Sequence, residues 1–289
     1  MSSKIGIFPP GSRWLYVELS ASWFTLDEVV KTRWNKVVSS LRFKHLAKNG
    51  YFVRYMDKRP HLRLRFQLYR ESDVYFAYCD LMSNIEDLIS TGVIWDISIL
   101  TYKREVLRYN IQLIDKTESL FFLDSMLASA ILQKQTLTTP LNDRFFASLI
   151  IINFYLQSFY YSTPQRIRLL EDTLSGNSQI GIIYNRNKRL IGMKYREQEA
   201  KIFSLLSKDD ILTLNDITNN EVNNYYMFSL KNLCHNLFCD IQKYGLDLDS
   251  LVADYIHMSM NRLFASNNNI YETYAYSFLS RYYRSMTYR

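Results

Sequence analysis

The chain has 289 residues, of which 48% are hydrophobic and 22% are charged. This balance is typical of a globular protein with a sizeable core, and it excludes an intrinsically disordered chain. The formal net charge of +7 favours an anionic partner, such as nucleic acid, an acidic peptide or a carboxylate substrate, without choosing among them.

Six predicted elements fill the first hundred residues. Alternating apolar residues predict strands, and apolar residues at helical spacing predict helices. Gly50 and Gly92 are expected to stop the two helices. In chain order the predicted elements are a strand over residues 14–20, a helix over 26–49, strands over 51–56 and 61–68, a helix over 73–90 and a strand over 93–100.

The order of these elements is β-α-β-β-α-β, which is typical of the ferredoxin-like, or split βαβ, arrangement. An antiparallel sheet of this kind can bury one face under its two helices and leave the other face for a site. In the strand over residues 61–68, His61, Arg63 and Arg65 share one face, and apolar residues share the other.

The sequence after about residue 115 changes character and predicts a mainly helical half. Between the helices, residues 175–189 are rich in Gly and Asn, and we interpret them as a loop or hairpin. We therefore expect one α+β domain over residues 1–289, with a sheet-containing half (1–112) and a helical half (113–289). The predicted helices cover residues 118–135, 143–161, 221–244, 247–264 and 271–286.

The cysteines and the apolar segments exclude several classes of protein. Three cysteines without close pairing argue against a disulfide framework, and Cys234 and Cys239 lack the spacing of a zinc pair. Residues 1–12 have too short an apolar stretch for a signal peptide, and residues 148–161 are too short to span a bilayer. We expect a soluble, cytoplasmic protein with no metal and no cofactor.

Four basic residues on the hairpin of the second and third strands form the first candidate group: Arg54, His61, Arg63 and Arg65. Guanidinium groups bind carboxylates in a bidentate manner, so this group could form a surface for a carboxylate or an enolate. A solvated sheet face would show the same pattern.

The second candidate group follows the fourth strand, where the chain leaves the sheet. It contains Tyr102, Arg104, Arg108 and Tyr109, and strand ends are common positions for sites. A charged surface segment would also explain this composition.

The third candidate group lies on a late helix. Asp254 and Asn261 flank His257 at about one turn on either side, so they could orient its imidazole for general acid or base catalysis. A polar stripe that faces water would look the same.

No motif for nucleotide-loop, zinc-protease or serine-hydrolase chemistry appears. The chain lacks a phosphate-binding glycine loop, a dinucleotide fingerprint, an HExxH motif and a Gly-x-Ser-x-Gly elbow. Since the chain has 8 glycines in total, enzymes that bind nucleotides through glycine loops are disfavoured.

Short motifs spread over nearly the whole chain carry a family resemblance. They are Phe52-Val53-Arg54-Tyr55, Pro60-His61-Leu62-Arg63-Leu64-Arg65, Thr101-Tyr102, Arg104-Glu105, Arg108-Tyr109, Glu118, Leu120-Phe121, Asp124-Ser125, and His257-Met258 with Asn261-Arg262-Leu263. In this order they resemble the C-terminal domain of lantibiotic dehydratases and the related thiopeptide-type bacteriocin biosynthesis proteins. The sequence departs from that family at Asn110-Ile111, where the family usually has Gly-Gly, so the turn there must differ.

The resemblance implies glutamate elimination on a ribosomally made precursor peptide with a leader. A separate partner enzyme first esterifies a Ser or Thr of the peptide with glutamate from glutamyl-tRNA. The domain then removes the α-proton and expels glutamate, which leaves dehydroalanine or dehydrobutyrine. The resemblance implies neither a cofactor nor a membrane partner.

The expected roles of the site residues follow from this chemistry. We expect Arg54 and Arg104 or Arg108 to stabilise the enolate and hold the leaving glutamate, and His257 to act as acid or base. The residues expected to bind or orient the substrate are His61, Arg63, Arg65, Tyr102, Tyr109 and Asn261.

Three alternatives stay open. The family's second branch joins two dehydroalanines by a formal aza-[4+2] cycloaddition, which closes the pyridine of a thiopeptide and releases the leader. A β-α-β-β-α-β fold with positive charge could also bind RNA, although the glycine-containing aromatic signature of RNA-recognition strands is absent. Finally, a Tyr-rich, basic surface would also suit a non-catalytic scaffold that binds the leader.

Overall fold

A computed structural model describes residues 6–134, 140–176, 178–208 and 221–287. The chain forms two compact units, residues 1–133 and residues 134–289, whereas the sequence placed the division between its halves after residue 112. Residues 1–5 of the opening segment, and Gln135 at the end of one predicted helix, lie outside the described residues.

Two antiparallel sheets form the framework of the first unit. Its strands are β1 (Ile7–Phe8), β2 (Trp14–Ala21), β3 (Ala47–Met56), β4 (Pro60–Leu68), β5 (Ile94–Ile99) and β6 (Tyr102–Lys103). The larger sheet has the order β3-β4-β2-β5, and β1 pairs with β6. All its neighbouring strands are antiparallel.

Helical segments connect these strands. They are α1 (Trp23–Glu28), a π-helical turn (Val29–Arg33), α2 (Trp34–Phe43), a 3₁₀ turn (Glu71–Asp73), α3 (Val74–Ser83), α4 (Glu86–Ser90), α5 (Val106–Tyr109) and α6 (Ile114–Gln133). The predicted β-α-β-β-α-β order along the chain is therefore present. The predicted mixture of antiparallel strands and helices, followed by a helical C-terminal half, is confirmed.

One face of the larger sheet forms the core of the first unit. Strict alternation in β4 puts Leu62, Leu64 and Phe66 on this face, and each is at most 1% exposed. The indole of Trp34 in α2 packs on the same face, with its ring centroid 5.6 Å from that of Phe66. Burial of these apolar groups is the main stabilising contribution of the sheet.

The predicted helix over residues 26–49 is wrong in its C-terminal part. The helix ends at Phe43, and His45 adopts a positive φ of 51°. The backbone N–H groups of His45 and Leu46 return to the carbonyls of Arg42 and Leu41, as in a glycine-type helix stop. His45 therefore ends the helix, whereas the sequence predicted Gly50 for this role.

Gly50, which the sequence predicted as the helix stop, lies inside β3. A Cβ atom at this position would be 2.5 Å from Cδ1 of Phe66 on the neighbouring strand. Glycine is therefore needed here because an aromatic ring occupies the space of a side chain.

Helix α6 belongs to the first unit because it runs along the outer edge of β3. The hydroxyl of Ser125 accepts a hydrogen bond from the backbone N–H of Phe52 at 3.3 Å. The hydroxyl of Ser129 donates to the carbonyl of Val30 at 2.8 Å. These bonds attach the helix to the sheet edge and to the π-helical turn.

All the regular secondary structure in the described residues of the second unit is helical. Its helices are α7 (Pro140–Ser158), α8 (Thr163–Ser175), α9 (Gln179–Leu206), α10 (Glu221–Lys243), α11 (Leu248–Leu263) and α12 (Asn268–Thr287). Helix α12 is central, since it packs against α7, α8, α9 and α11. Among the described residues, every helix falls short of the length and apolar character that crossing a membrane requires.

The predicted loop or hairpin over residues 175–189 is wrong, because most of it lies in α9. The hydroxyl of Ser178 accepts a hydrogen bond from the N–H of Gly181 and so caps the start of this helix. A Cβ atom on Gly181 would be 1.8 Å from the carbonyl oxygen of Gly176. The glycines therefore permit close backbone packing between α8 and α9. A loop would have the same Gly-rich and Asn-rich composition, which is why the sequence predicted one.

We expect Gly50→Ala to lower the free energy of unfolding by about 1–3 kcal/mol, because the new methyl group must displace the Phe66 ring. Urea denaturation of the full chain measures this change. Gly176→Ala is the matched control, since the nearest atom to its Cβ is 3.4 Å away. Equal stability of the two variants would contradict the packing argument.

Candidate functional site

The face of the larger sheet opposite the Trp34 core carries polar and aromatic side chains. The register pairs Glu18 with Arg63, and Tyr55 with His61. The Nε atom of Arg63 donates to Oε2 of Glu18 at 3.2 Å, and Nε2 of His61 lies 3.3 Å from the same oxygen. The Glu18 carboxylate therefore binds the guanidinium of Arg63 and lies beside the imidazole of His61, on the strand face that the sequence predicted.

Arg65 lies on this face inside a cage of tyrosines. Its guanidinium carbon is 4.9 Å from the ring centroid of Tyr16, 5.4 Å from that of Tyr51 and 5.1 Å from that of Tyr102. Only 9% of the residue is exposed, and its Nε atom makes no hydrogen bond with the described residues. Cation–π attraction compensates part of the cost of burying this charge.

Arg104 and Glu118 form a bidentate ion pair beside the cage. The Nε and Nη2 atoms of Arg104 donate to the two carboxylate oxygens of Glu118 at 2.8 and 2.5 Å, and Nη2 is 2.7 Å from Asp115. The hydroxyl of Tyr102 donates to Glu118 at 2.5 Å, and it lies 2.8 Å from the hydroxyl of Tyr51. Burial raises the pKa of Glu118 to about 7, although Arg104 and Tyr102 both act to lower it.

Arg54 lies on the other face of the sheet, apart from His61, Arg63 and Arg65. The register pairs it with Leu62, and its guanidinium donates to Asp27 of α1 at 2.7 Å. The first candidate group is therefore not one surface. Residues paired across two strands share a face, so Arg54 lies on the face of Leu62. Side chains alternate along β4, so His61, Arg63 and Arg65 lie on the opposite face.

Arg108 and Tyr109 lie in α5, just past β6. Arg108 is partly exposed and 3.3 Å from Glu105, whereas Tyr109 is 1% exposed and packs edge-on against Phe121. The next residue, Asn110, has a φ of 64°, a conformation that glycine adopts most readily. This explains how the chain makes the turn at the point where its sequence departs from the family pattern.

His257 in α11 makes its contact with a carboxylate that sequence reasoning missed. Its Nδ1 atom is 2.9 Å from Oε2 of Glu272 in α12, and the hydroxyl of Tyr276 donates to Oε1 of Glu272 at 2.8 Å. Glu272 is 1% exposed, whereas 37% of the His257 side chain is exposed. With Nδ1 protonated, Nε2 is the basic nitrogen of the ring.

The corner between α11 and α12 brings these residues together. The rings of Phe264 and Tyr271 stack at 4.2 Å with an angle of 9°, which fixes how the two helices meet. Glu272 and Tyr276 are four residues apart, so they share one face of α12. The spacing of Glu272 and Tyr276 was the one sequence pattern that could have indicated this pair. The sequence alone did not reveal which helix faces His257. Burial and Glu272 raise the pKa of Tyr276 well above its usual value, so Tyr276 stays a hydrogen-bond donor.

The described residues contain no group of three or more His, Cys, Asp or Glu side chains that could hold a metal ion. Asn261 lies one turn after His257 on α11 and is half-buried. It remains a candidate for substrate binding.

Comparison with known proteins points to one family. The family model described as "Lantibiotic biosynthesis dehydratase C-term" matches residues 14–283. The chain is 21% identical over 266 residues to the subtilin biosynthesis protein SpaB of Bacillus subtilis, a match that covers 90% of this chain and 24% of SpaB. The chain spans about a quarter of the length of the curated relatives it matches.

Two solved structures share the fold. The tRNA-dependent lantibiotic dehydratase MibB from Microbispora sp. 107891 gives a TM-score of 0.70 at 16% identity, over 96% of this chain and 29% of MibB. The pyridine synthase TbtD from thiomuracin biosynthesis gives a TM-score of 0.63 at 12% identity, over 94% of this chain and 99% of TbtD. At such low identities these likenesses establish the fold alone.

The Glu118 carboxyl should titrate with a midpoint near 7, and Tyr102→Phe should move that midpoint upward, because the Tyr102 hydroxyl helps to lower it. Since the folded pKa lies above the unfolded one, this group makes the free energy of unfolding fall as pH rises from about 4.5 to about 7. Carbon-13 NMR titration of the glutamate carboxyls, assigned with Glu118→Gln, measures both midpoints. A wild-type midpoint near 4.5, or a downward move in Tyr102→Phe, would refute this.

Proposed function

We infer the function from one premise: the chain belongs to the lantibiotic biosynthesis dehydratase C-terminal family, as its motifs indicated. On that premise we propose that it eliminates glutamate from glutamylated Ser or Thr side chains of a ribosomally made precursor peptide. The products are dehydroalanine or dehydrobutyrine and free glutamate. The proposed partners are the precursor with its leader and a separate glutamylating enzyme, all in the cytoplasm.

The observation that carries an acid–base role for the second unit is the hydrogen bond between His257 and the buried carboxylate of Glu272. Elimination requires a base that takes the α-proton of the esterified residue while the ester C–O bond breaks and glutamate leaves as a carboxylate. Glu272 holds the imidazole through Nδ1 and stabilises the imidazolium that forms when Nε2 accepts the proton. Tyr276, in turn, holds the other oxygen of Glu272.

The polar sheet face of the first unit carries guanidinium groups, which suit anionic groups of a glutamylated peptide. Removal of an α-proton places negative charge on the neighbouring carbonyl oxygen, and preorganised cations stabilise such charge. We propose Arg63 and Arg65 as the candidates for binding a carboxylate of the glutamylated precursor, because both lie on the polar sheet face. The bidentate pair with Glu118 suits Arg104 to positioning the Arg65 cage. The ion pair with Asp27 suits Arg54 to holding α1 on the opposite face of the sheet.

We also assign the larger sheet to the ferredoxin-like arrangement. Its support is the antiparallel order β3-β4-β2-β5, with helical connections after β2 and after β4. This arrangement leaves one sheet face for a polar site while the helices cover the other.

Pyridine formation is the second candidate function, and the fold similarity to TbtD favours it. That reaction needs two alkenes held close together, a proton donated to an amide oxygen and assisted loss of water. The His257–Glu272 pair could serve as that proton donor, so the pair does not distinguish the two reactions. The cationic sheet face tilts our choice towards elimination.

The decisive experiment uses mass spectrometry of two precursors, each incubated with the purified full chain. We expect a glutamylated precursor to lose glutamate, and a fully dehydrated precursor to remain unchanged. Release of the leader from the dehydrated precursor, with the glutamylated one left intact, would instead identify a pyridine synthase. Binding of the leader without any change in mass would identify a non-catalytic scaffold.

We expect His257→Ala to lower the turnover number about 100-fold or more, because the elimination loses its base, while leader binding stays intact. Glu272→Gln should lower it about 10–100-fold with little change in KM, because it removes the negative charge that stabilises the protonated imidazole. Single-turnover mass spectrometry and a leader-binding assay measure the two effects. His235→Ala is the matched control, since it removes an exposed imidazole from another helix of the same unit. Full activity in His257→Ala would remove the base from the proposal.

A further inference from the structure

Three side chains in the second unit form a connected group that the elimination does not use: Tyr160, His235 and Cys239. The Sγ atom of Cys239 is 3.8 Å from Nε2 of His235, within reach of a sulfur hydrogen bond. The hydroxyl of Tyr160 is 2.8 Å from Nδ1 of the same ring. All three residues are exposed to solvent, so a small reagent can reach the thiol.

The spacing of Cys239 and His235 on α10 explains their contact. Residues four apart on a helix lie on the same face, one turn from each other. His235 therefore presents one ring nitrogen to the thiol along the helix, while its other nitrogen faces the end of α7.

Tyr160 has a backbone conformation that tyrosine rarely adopts. It follows α7 with a φ of 60°, and the N–H groups of Tyr160 and Tyr161 return to the carbonyls of Gln157 and Leu156. Glycine is usual at this position of a helix end, and any other residue is strained there. The Tyr160 ring packs against His235 and Phe238, with centroids 5.7 and 5.1 Å away. These contacts offset the backbone cost and point the hydroxyl at the imidazole.

We propose that Cys239 is a modification site, at which the thiol exchanges with low-molecular-weight disulfides, His235 acts as the base and Tyr160 positions it. The Cys239 sulfur attacks one sulfur of the disulfide, and its S–H proton passes to Nε2 of His235. The S–S bond of the reagent breaks, and the departing thiolate takes up the proton to leave as a thiol. A mixed disulfide remains on Cys239. With Nδ1–H donated to the Tyr160 oxygen, Nε2 is the nitrogen that can accept this proton.

The chain contains its own comparison for this chemistry. Cys79 is also exposed, but its described neighbour is the phenol of Tyr75, whose pKa is raised mainly by its hydrogen bond to that thiol. A phenol is a poor base near neutral pH, so Cys79 has exposure without an imidazole partner. Cys234 is buried and is not accessible to the reagent.

The test follows the reaction of the full chain with oxidised glutathione at neutral pH, by intact mass and peptide mapping. Cys239 should form the mixed disulfide about tenfold faster than Cys79. His235→Ala should slow Cys239 to about the rate of Cys79, and Tyr160→Phe should slow it about threefold, because the ring stays but its orienting hydroxyl is lost. The rate at Cys79 should not change in either variant.

Two controls keep the result interpretable. Cys239→Ser should abolish the fast adduct, and far-ultraviolet circular dichroism should confirm that each variant keeps the wild-type helix content. Equal rates at Cys239 and Cys79, or an unchanged rate at Cys239 in His235→Ala, would overturn the proposal. An unchanged rate in Tyr160→Phe would remove Tyr160 from it.

Discussion

The ion pair between Arg104 and Glu118 is the interaction on which the polar face of the first unit depends. It joins the chain just past β6 to helix α6 through two hydrogen bonds, and burial makes each partner costly without the other. Glu118 also receives the hydroxyl of Tyr102, and Tyr102 forms one wall of the cage around Arg65. The Arg104–Glu118 pair thus helps to place the buried Arg65 cation, although it acts only through Tyr102. Loss of Glu118 would leave the Arg104 guanidinium without its buried partner, and loss of either residue would disturb the cage around Arg65.

The sequence predicted the elements whose pattern is local and strict. Alternation in β4 assigned His61, Arg63 and Arg65 to one face correctly, because a strand has only two faces. Alternation could not assign Arg54 to a face, because which residues of β3 share a face with those of β4 depends on the register of the hairpin. Glycine was an uneven signal. Gly92 follows α4 with a φ of 72°, as the predicted helix stop, but other glycines were misassigned. Gly50 and Gly181 serve close packing in a strand and in a helix, while residues with larger side chains, His45 and Asn110, take the left-handed conformations.

The partner of His257 was out of reach for a different reason. Asp254 and Asn261 were selected because they are neighbours along one helix, whereas Glu272 comes from the next helix. Its approach is set by the corner at which Phe264 stacks on Tyr271. This contact crosses the break between two helices, so the spacing within either helix does not predict it. A carboxylate buried so completely in a helical unit would be costly unless paired, and His257 and Tyr276 together satisfy it. The same hydrogen bonds of Glu272 therefore stabilise the helix corner and orient the imidazole.

Helix α6 has a consequence for how any peptide could be held by the first unit. Many proteins capture an extended peptide by letting it join a sheet as one more strand, which requires an edge strand with open backbone groups. Here the Ser125 hydroxyl already takes the outward N–H of Phe52, and the helix runs along that edge. Strand addition at β3 is blocked there, and so is edge-to-edge association between copies of the chain. Along this edge, selectivity towards a peptide must then come from side chains and not from main-chain pairing.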